Sequence, residues 1–116
     1  MTIEQRTAGP VTVLDLNGRL VFGDGDRLLK DKVHSLIFQK QRQILLNLAN
    51  LEYMDSAGLG ELVATQATVS RDGGQIKVAN LTKRVSDLLT ITKVLTIFDV
   101  YDSEAEALRA FASSGA

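Results

Sequence analysis

A short apolar run, a glycine-bordered serine and a helical pattern follow one another in the middle of this chain. The run 43–48 (QILLNL) is almost continuously apolar, which predicts a strand buried on both faces. After residues 53–60 (YMDSAGLG), apolar side chains recur at helical spacing through Leu62, Val63 and Ala67, so we expect a helix that begins near Ser56. This order is typical of an α/β domain, with the serine hydroxyl at the first turn of a helix.

The first turn of such a helix suits a negatively charged group. Its backbone N–H groups have no partner within the helix and the helix dipole is positive there, so a bound or attached phosphate is stabilised. Gly58 and Gly60 keep the turn slim, which lets another backbone or a nucleotide approach closely. Two interpretations stay open: the serine acts on a substrate, or it is itself modified.

The rest of the chain alternates between strand and helix patterns. We expect strands over 3–6, 11–20, 75–80 and 95–100, the first two joined as a hairpin by the turn at 8–10. We expect helices over 26–40, from Ser56 to about 72, after a Thr82 cap, and after a Ser103 or Asp102 cap. The sequence thus predicts one α/β domain over 1–116, with a mixed, mainly parallel sheet of four to five strands and a frayed tail at 113–116.

The composition argues against several classes of function. The 116 residues carry a net charge of −1, so we do not expect binding to nucleic acid or to an anionic membrane. The chain has no cysteine, so we expect no disulfide framework. No apolar stretch approaches the roughly 20 residues that span a bilayer. Residues 1–4 (MTIE) do not resemble a signal peptide. We expect a cytoplasmic protein without a cofactor.

Ser56 lies between a strand and a helix, as the nucleophile of a serine hydrolase does. That nucleophile needs a glycine two residues earlier, where this chain has Met54, and a histidine later in the chain, where it has none. The single histidine, His34, is interpreted as a partly exposed residue of the first predicted helix. A small serine hydrolase is therefore the least favoured alternative, and no catalytic residue is assigned.

Other candidate sites have ordinary structural explanations. Asp24 and Asp26 are spaced like calcium ligands, but the rest of a calcium loop is missing, so a glycine-rich loop with a helix cap is favoured. No metal ligand is assigned. Lys83 and Arg84 form a two-residue basic spot that is more typical of solvated surface than of an RNA site.

Ser56 itself has a structural explanation, because serine commonly caps helices. No Glu or Gln follows three residues later, however, so the reciprocal capping box is absent. Asp55 is an adequate cap, which leaves the Ser56 hydroxyl free to point outward. These details favour a modified serine.

The block DSAGLG at 55–60, preceded by LNL at 46–48, closely resembles the core of bacterial anti-sigma factor antagonists, whose fold is the STAS domain. The resemblance extends across the chain, through GRL at 18–20, GG at 73–74 and the apolar residues Val85, Leu88 and Leu89. It implies a single STAS-type domain whose helices pack mainly on one face of the sheet.

The resemblance also implies a phosphorylation switch rather than an enzyme. The phosphorylated serine of the family corresponds to Ser56, the implied partner is an anti-sigma factor with serine kinase activity, and a serine phosphatase resets the switch. The expected partner-binding residues are Asp24, Asp55, Ser56, Ala57, Gly58, Leu59 and Gly60. A STAS scaffold protein of a signalling assembly stays open as an alternative, and so does a weak homodimer.

The chain departs from the family pattern at Val21, where many members carry an aspartate directly after the segment that matches Gly18–Leu20. In this chain the acids come later, at Asp24 and Asp26. We hypothesise that Asp24 supplies the carboxylate at the partner surface and that Asp26 caps the first helix.

Overall fold

The structure is a computed structural model that describes residues 1–114, in which strands and helices alternate. The strands are β1 (Thr2–Ala8), β2 (Val11–Leu20), β3 (Gln43–Asn47), β4 (Leu51–Met54), β5 (Gln75–Ala79) and β6 (Asp99–Tyr101). The helices are α1 (Gly25–Phe38), α2 (Ser56–Arg71), α3 (Lys83–Ile91) and α4 (Glu104–Ser114), with a short 3-10 helix at Val94–Ile97. The predicted α/β class is confirmed.

A single mixed sheet runs through the described residues. Its strands follow the order β1-β2-β3-β5-β6, and β4 pairs with the far end of β2. β1 and β2 form the expected antiparallel hairpin, whereas the pairs β2–β3, β2–β4, β3–β5 and β5–β6 are parallel. Because β4 and β5 run the same way, the helices that follow them, α2 and α3, both begin at the carboxyl edge of the sheet.

Helices cover the two faces of the sheet unequally. α1, α2 and α3 contribute Leu29, Leu62 and Leu89, among other side chains, to the larger apolar core on one face. α4 packs on the other face through Ala107 and Phe111. The expected arrangement, with helices mainly on one face, is confirmed. None of the helices within residues 1–114 has the length and apolar character needed to cross a membrane.

The strand that leads into Ser56 differs from the one that the sequence indicated. β3 ends at Asn47, the chain turns, and β4 then continues into α2. β4 has only four residues, too few to show a period, and its partner is the distant segment of β2 that ends at Leu20. Periodicity within a local window therefore does not reveal it.

The strand predicted over 95–100 is wrong for most of its length. Lys93 has a left-handed backbone with φ of 62°, and the chain then forms the 3-10 helix before the short β6. Leu95 and Phe98 still pack on the larger core, which explains the apolar pattern without a strand.

Two predicted helix ends also differ. The helix expected over 26–40 ends at Phe38, and Lys40 is left-handed with φ of 67°. α4 includes Ser113 and Ser114 of the predicted tail, while residues 115 and 116 lie outside the described part of the chain.

Candidate functional site

Ser56 is the first residue of α2, and its side chain is exposed. β4 supports this position, because Tyr53 and Met54 pair with Arg19 and Leu20 of β2. Met54 is buried in the larger core, so the chain leaves the sheet at a fixed point. The serine is therefore presented at the surface by a rigid support.

Asp55 caps α2, as the sequence predicted. Its Oδ1 accepts a hydrogen bond from the Gly58 N–H at 2.8 Å. Its Oδ2 accepts a second one from the Phe22 N–H at 3.0 Å, in the loop between β2 and α1. The Phe22 and Gly58 N–H groups lower the pKa of the Asp55 carboxyl, so this cap is charged at neutral pH. The Ser56 hydroxyl is not needed as the cap.

Gly58 and Gly60 have different environments, although the sequence predicted both at the partner surface. Gly58 is buried, and a Cβ there would overlap the carbonyl group of Leu20. Gly60 is exposed, and a Cβ there would meet nothing within 4 Å. The close approach that Gly58 permits is thus to β2 of the same chain rather than to a partner or a nucleotide. Gly58 therefore positions α2 against β2, and its contact with a partner stays a prediction.

Asp26 does not occupy the cap position that the sequence predicted for it. α1 begins at Gly25, so Asp26 lies inside the first turn. Its Oδ1 accepts hydrogen bonds from the Gly23 N–H at 2.9 Å and the Arg27 N–H at 2.8 Å. Asp26 therefore ties the preceding loop to the helix instead of capping it.

Asp24 takes the N-cap position of α1 but makes no side-chain cap hydrogen bond. Its side chain is 84% exposed, and its Oδ2 lies 3.9 Å from the amino group of Met1. The hydrogen bond that joins this loop to the motif comes from Phe22, not from Asp24. Whether Asp24 contacts a partner stays a prediction.

A groove of about 640 Å³ opens beside Ser56, between the beginning of α2 and the exposed side of α3. Its apolar wall includes Leu59 of α2 and Leu88 of α3, both half-buried. The lining residues are Tyr53, Met54, Asp55, Ser56, Leu59, Arg84, Val85, Asp87, Leu88, Ile91 and Thr92. Asp55, Ser56 and Leu59 of the block at 55–60 therefore lie on one concave surface together with residues of α3. Ala57, half-buried, and Gly60 lie outside the groove lining.

Large apolar side chains flank this site in solvent. Ile91 in the groove is 79% exposed, and Phe22, whose N–H binds Asp55, is 76% exposed. Tyr53 is 38% exposed, and the Arg19 guanidinium lies 5.2 Å from its ring centre. An exposed apolar patch beside a polar group is typical of a protein–protein interaction site.

The sequence analysis did not assign Phe22, Tyr53 or Ile91 to the site, and it interpreted Arg84 as solvated surface. A single apolar residue in a loop or at a helix end carries no periodic signal, and only the tertiary fold brings α3 next to the motif. One sign was available in the sequence. Phe22 is an aromatic residue inside the Gly- and Asp-rich loop at 21–26, and such loops are usually polar, so it could have been assigned to a binding surface.

Within residues 1–114, no group of three or more His, Asp or Glu side chains is arranged to hold a metal ion. His34 is exposed on α1, in agreement with its interpretation as a surface residue. Ser56 and Thr92, both exposed, bring hydroxyl groups to the groove, whose charged lining residues are Asp55, Arg84 and Asp87.

Comparisons with known proteins agree with the fold. The STAS domain family model matches residues 2–107. The anti-sigma F factor antagonist of Paenibacillus polymyxa is 28% identical over 108 residues, which cover 93% of this chain and 92% of that protein. The anti-sigma-B factor antagonist of Bacillus subtilis is 34% identical over 73 residues, which cover 63% of this chain and 66% of that protein. These relatives are named as antagonists, in agreement with the predicted non-enzymatic role.

SpoIIAA of Bacillus, an anti-sigma factor antagonist, has solved structures in an unphosphorylated and a phosphorylated form. The unphosphorylated form has a TM-score of 0.72 and 20% identity, with coverage of 97% of this chain and 98% of that chain. The phosphorylated form has a TM-score of 0.72 and 19% identity, with coverage of 94% and 98%. At this level of identity the likeness supports the fold alone.

Proposed function

Because the chain belongs to the STAS domain family, we propose that it is an anti-sigma factor antagonist controlled by phosphorylation of Ser56. In the dephosphorylated state it binds an anti-sigma factor that has serine kinase activity, and the sigma factor is released. Phosphorylation by this partner ends the binding, and a serine phosphatase restores it. The names of the relatives support the class of partner, and the site supports the choice of serine.

The observation that carries this proposal is that Asp55, and not Ser56, caps α2. Asp55 supplies the cap and the link to the Phe22 loop, and the exposed Ser56 hydroxyl makes no hydrogen bond within residues 1–114 that a phosphate would disturb. A phosphate adds roughly −1.5 to −2 charges and a bulky acceptor group. The start of α2 tolerates that charge, so the domain stays folded after modification.

The surface around Ser56 explains how the modification ends binding. A partner that covers the groove and the exposed Ile91 and Phe22 side chains desolvates Ser56 as well. A phosphate on Ser56 clashes sterically with the bound partner and places an unpaired charge in the interface. The Asp55 carboxylate adds repulsion toward an acidic partner surface. Each 1.4 kcal/mol lost from the interface lowers the affinity about tenfold.

The test combines phosphorylation and binding in one experiment. The purified protein is incubated with ATP and a purified candidate anti-sigma factor kinase, its intact mass is measured, and the phosphate is mapped on peptides. We expect one phosphate on Ser56, and loss of the complex as it accumulates. Ser56→Ala should take up no phosphate and stay bound, while Ser70→Ala, at the exposed far end of the same helix, should behave like the parent. Phosphate chiefly on Ser70, Ser86 or Ser103 would contradict the proposal.

A further inference from the structure

Arg84 is a charged residue of the groove whose role the motif does not explain. It is the second residue of α3, and it lines the groove together with Ser56. Its side chain makes no ion pair or hydrogen bond within residues 1–114, whereas the neighbouring Lys83 Nζ pairs with the Asp87 Oδ2 at 2.9 Å. The Arg84 guanidinium is therefore available to an anion in the groove.

The sheet topology brings Arg84 and Ser56 to the same edge of the fold. β4 leads into α2 and β5 leads into α3, and both strands run parallel within the sheet. Both residues thus lie in the first turn of helices that begin at the carboxyl edge. Along α3, Arg84, Leu88 and Ile91 follow each other at spacings of four and three, so they share the helix face that lines the groove.

We propose that Arg84 is the intramolecular binding site for a phosphoryl group on Ser56. The inference rests on the proposed phosphorylation, and it concerns where the phosphate goes once attached. A phosphomonoester dianion and a guanidinium form short, charge-assisted hydrogen bonds that are often bidentate. Because Ser56 and Arg84 line the same groove of one chain, the contact needs no association of separate molecules.

The other charged residues of the groove do not compete for this contact. The Asp55 carboxylate is held by the N–H groups of Phe22 and Gly58, and the Asp87 carboxylate is paired with Lys83. Both carboxylates repel a phosphate, so Arg84 is the cation toward which it turns among the residues that line the groove. The resulting ion pair joins lining residues of α2 and α3, and Leu88 lies beside it because it follows Arg84 by one helical turn. Phosphorylation of Ser56 then makes both the Arg84 guanidinium and the neighbouring apolar surface inaccessible to the partner.

A protein with phosphoserine introduced at position 56 during translation tests this inference without a kinase or a partner. The second pKa of the phosphate, about 6 for an unperturbed phosphoserine, is measured by phosphorus NMR over a pH titration. We expect Arg84→Gln to raise this pKa by about half a unit relative to the parent, because the cation that favours the dianion is lost. Arg84→Lys, which keeps the charge, should retain most of the lowered pKa.

Lys93→Gln is the matched control, since it removes the same charge from a residue outside the groove lining whose ammonium makes no ion pair within residues 1–114. It should change the phosphate pKa much less than Arg84→Gln, and thermal melts verify that all variants are folded. Methyl NMR signals of Leu88 and Ile91 should shift on phosphorylation in the parent but not in Arg84→Gln. An equal phosphate pKa in the parent and Arg84→Gln, or equal effects of Arg84→Gln and Lys93→Gln, would overturn the inference. Because the phosphate is installed, either outcome is independent of whether a kinase modifies Ser56.

Discussion

The Asp55 carboxylate lies 3.0 Å from the Phe22 backbone nitrogen, and this bond joins the loop after β2 to the start of α2. Because the pKa of Asp55 is lowered in the folded protein, the ionised carboxylate stabilises the fold above the ordinary aspartate pKa. That stabilisation is lost as the pH falls through the lowered pKa of the folded state. Asp55→Asn keeps the shape but offers one oxygen, so it should destabilise the protein at about pH 7 and much less at about pH 2. Urea denaturation at both pH values checks this, and an equal difference at both would contradict it.

Replacement of Ser56 should separate folding from function. Ser56→Ala should change the free energy of unfolding by less than about 1 kcal/mol, because Asp55 still caps α2. The variant should bind the anti-sigma factor and ignore kinase and ATP. Ser56→Asp should weaken binding, although one carboxylate imitates a phosphate poorly in charge and reach. Titrations in which Ser56→Ala loses binding and Ser56→Asp keeps it would reverse the proposed polarity of the switch.

The two glycines of the motif should respond in opposite ways to alanine. Gly58→Ala forces a Cβ into the Leu20 carbonyl group, so we expect a loss of about 3 kcal/mol or more in stability. Gly60→Ala meets open space in a helix, where alanine is favoured over glycine by roughly 0.5–1 kcal/mol, so it should leave stability unchanged or raise it. Thermal and chemical denaturation of both variants compare them directly. A well-folded Gly58→Ala protein would show that β2 and α2 can move apart.

The exposed apolar residues beside Ser56 should matter for binding and not for folding. Ile91→Ser and Phe22→Ser should each leave the melting temperature nearly unchanged and weaken the anti-sigma factor complex by about 1–2 kcal/mol. Phe38→Ser is the matched control, because Phe38 is 87% exposed but lies at the far end of α1, away from the groove. Calorimetric titration of the three variants decides the case. Equal weakening by Phe38→Ser would mean that exposed apolar area alone, and not this site, sets the affinity.

The loop acids should differ in the property that they affect. Asp26→Ala removes the acceptor of the Gly23 and Arg27 N–H groups and should lower stability by about 1 kcal/mol. Asp24→Ala removes no cap hydrogen bond and should leave the melting temperature nearly unchanged. If Asp24 meets the partner, as we hypothesise from the sequence, its loss alters the affinity or the rate of Ser56 phosphorylation. Parent-like binding and phosphorylation of Asp24→Ala would remove this acid from the switch.

Local patterns predicted those features of the fold that are specified locally. Thr82 caps α3 and Asp55 caps α2 as expected, because a cap is a contact between a side chain and a nearby N–H group. β4 and the burial of Gly58 could not be predicted in the same way, since both depend on where β2 lies in the folded molecule. The groove has the same origin, because α3 reaches the motif only through the order of strands in the sheet.

The site around Ser56 is assembled late in folding, because its parts come from distant segments of the chain. Phe22, Asp55 and Arg84 belong to three different strand-to-helix junctions, far apart in the chain. Contacts between such distant segments form only after long loops have closed, which places them late in folding. The cap between Asp55 and Gly58 depends on local residues alone, whereas the Phe22 contact and the groove require the folded sheet and are absent from a partly unfolded chain. If the proposed partner binds all three junctions at once, it therefore binds the folded chain and not a partly unfolded one.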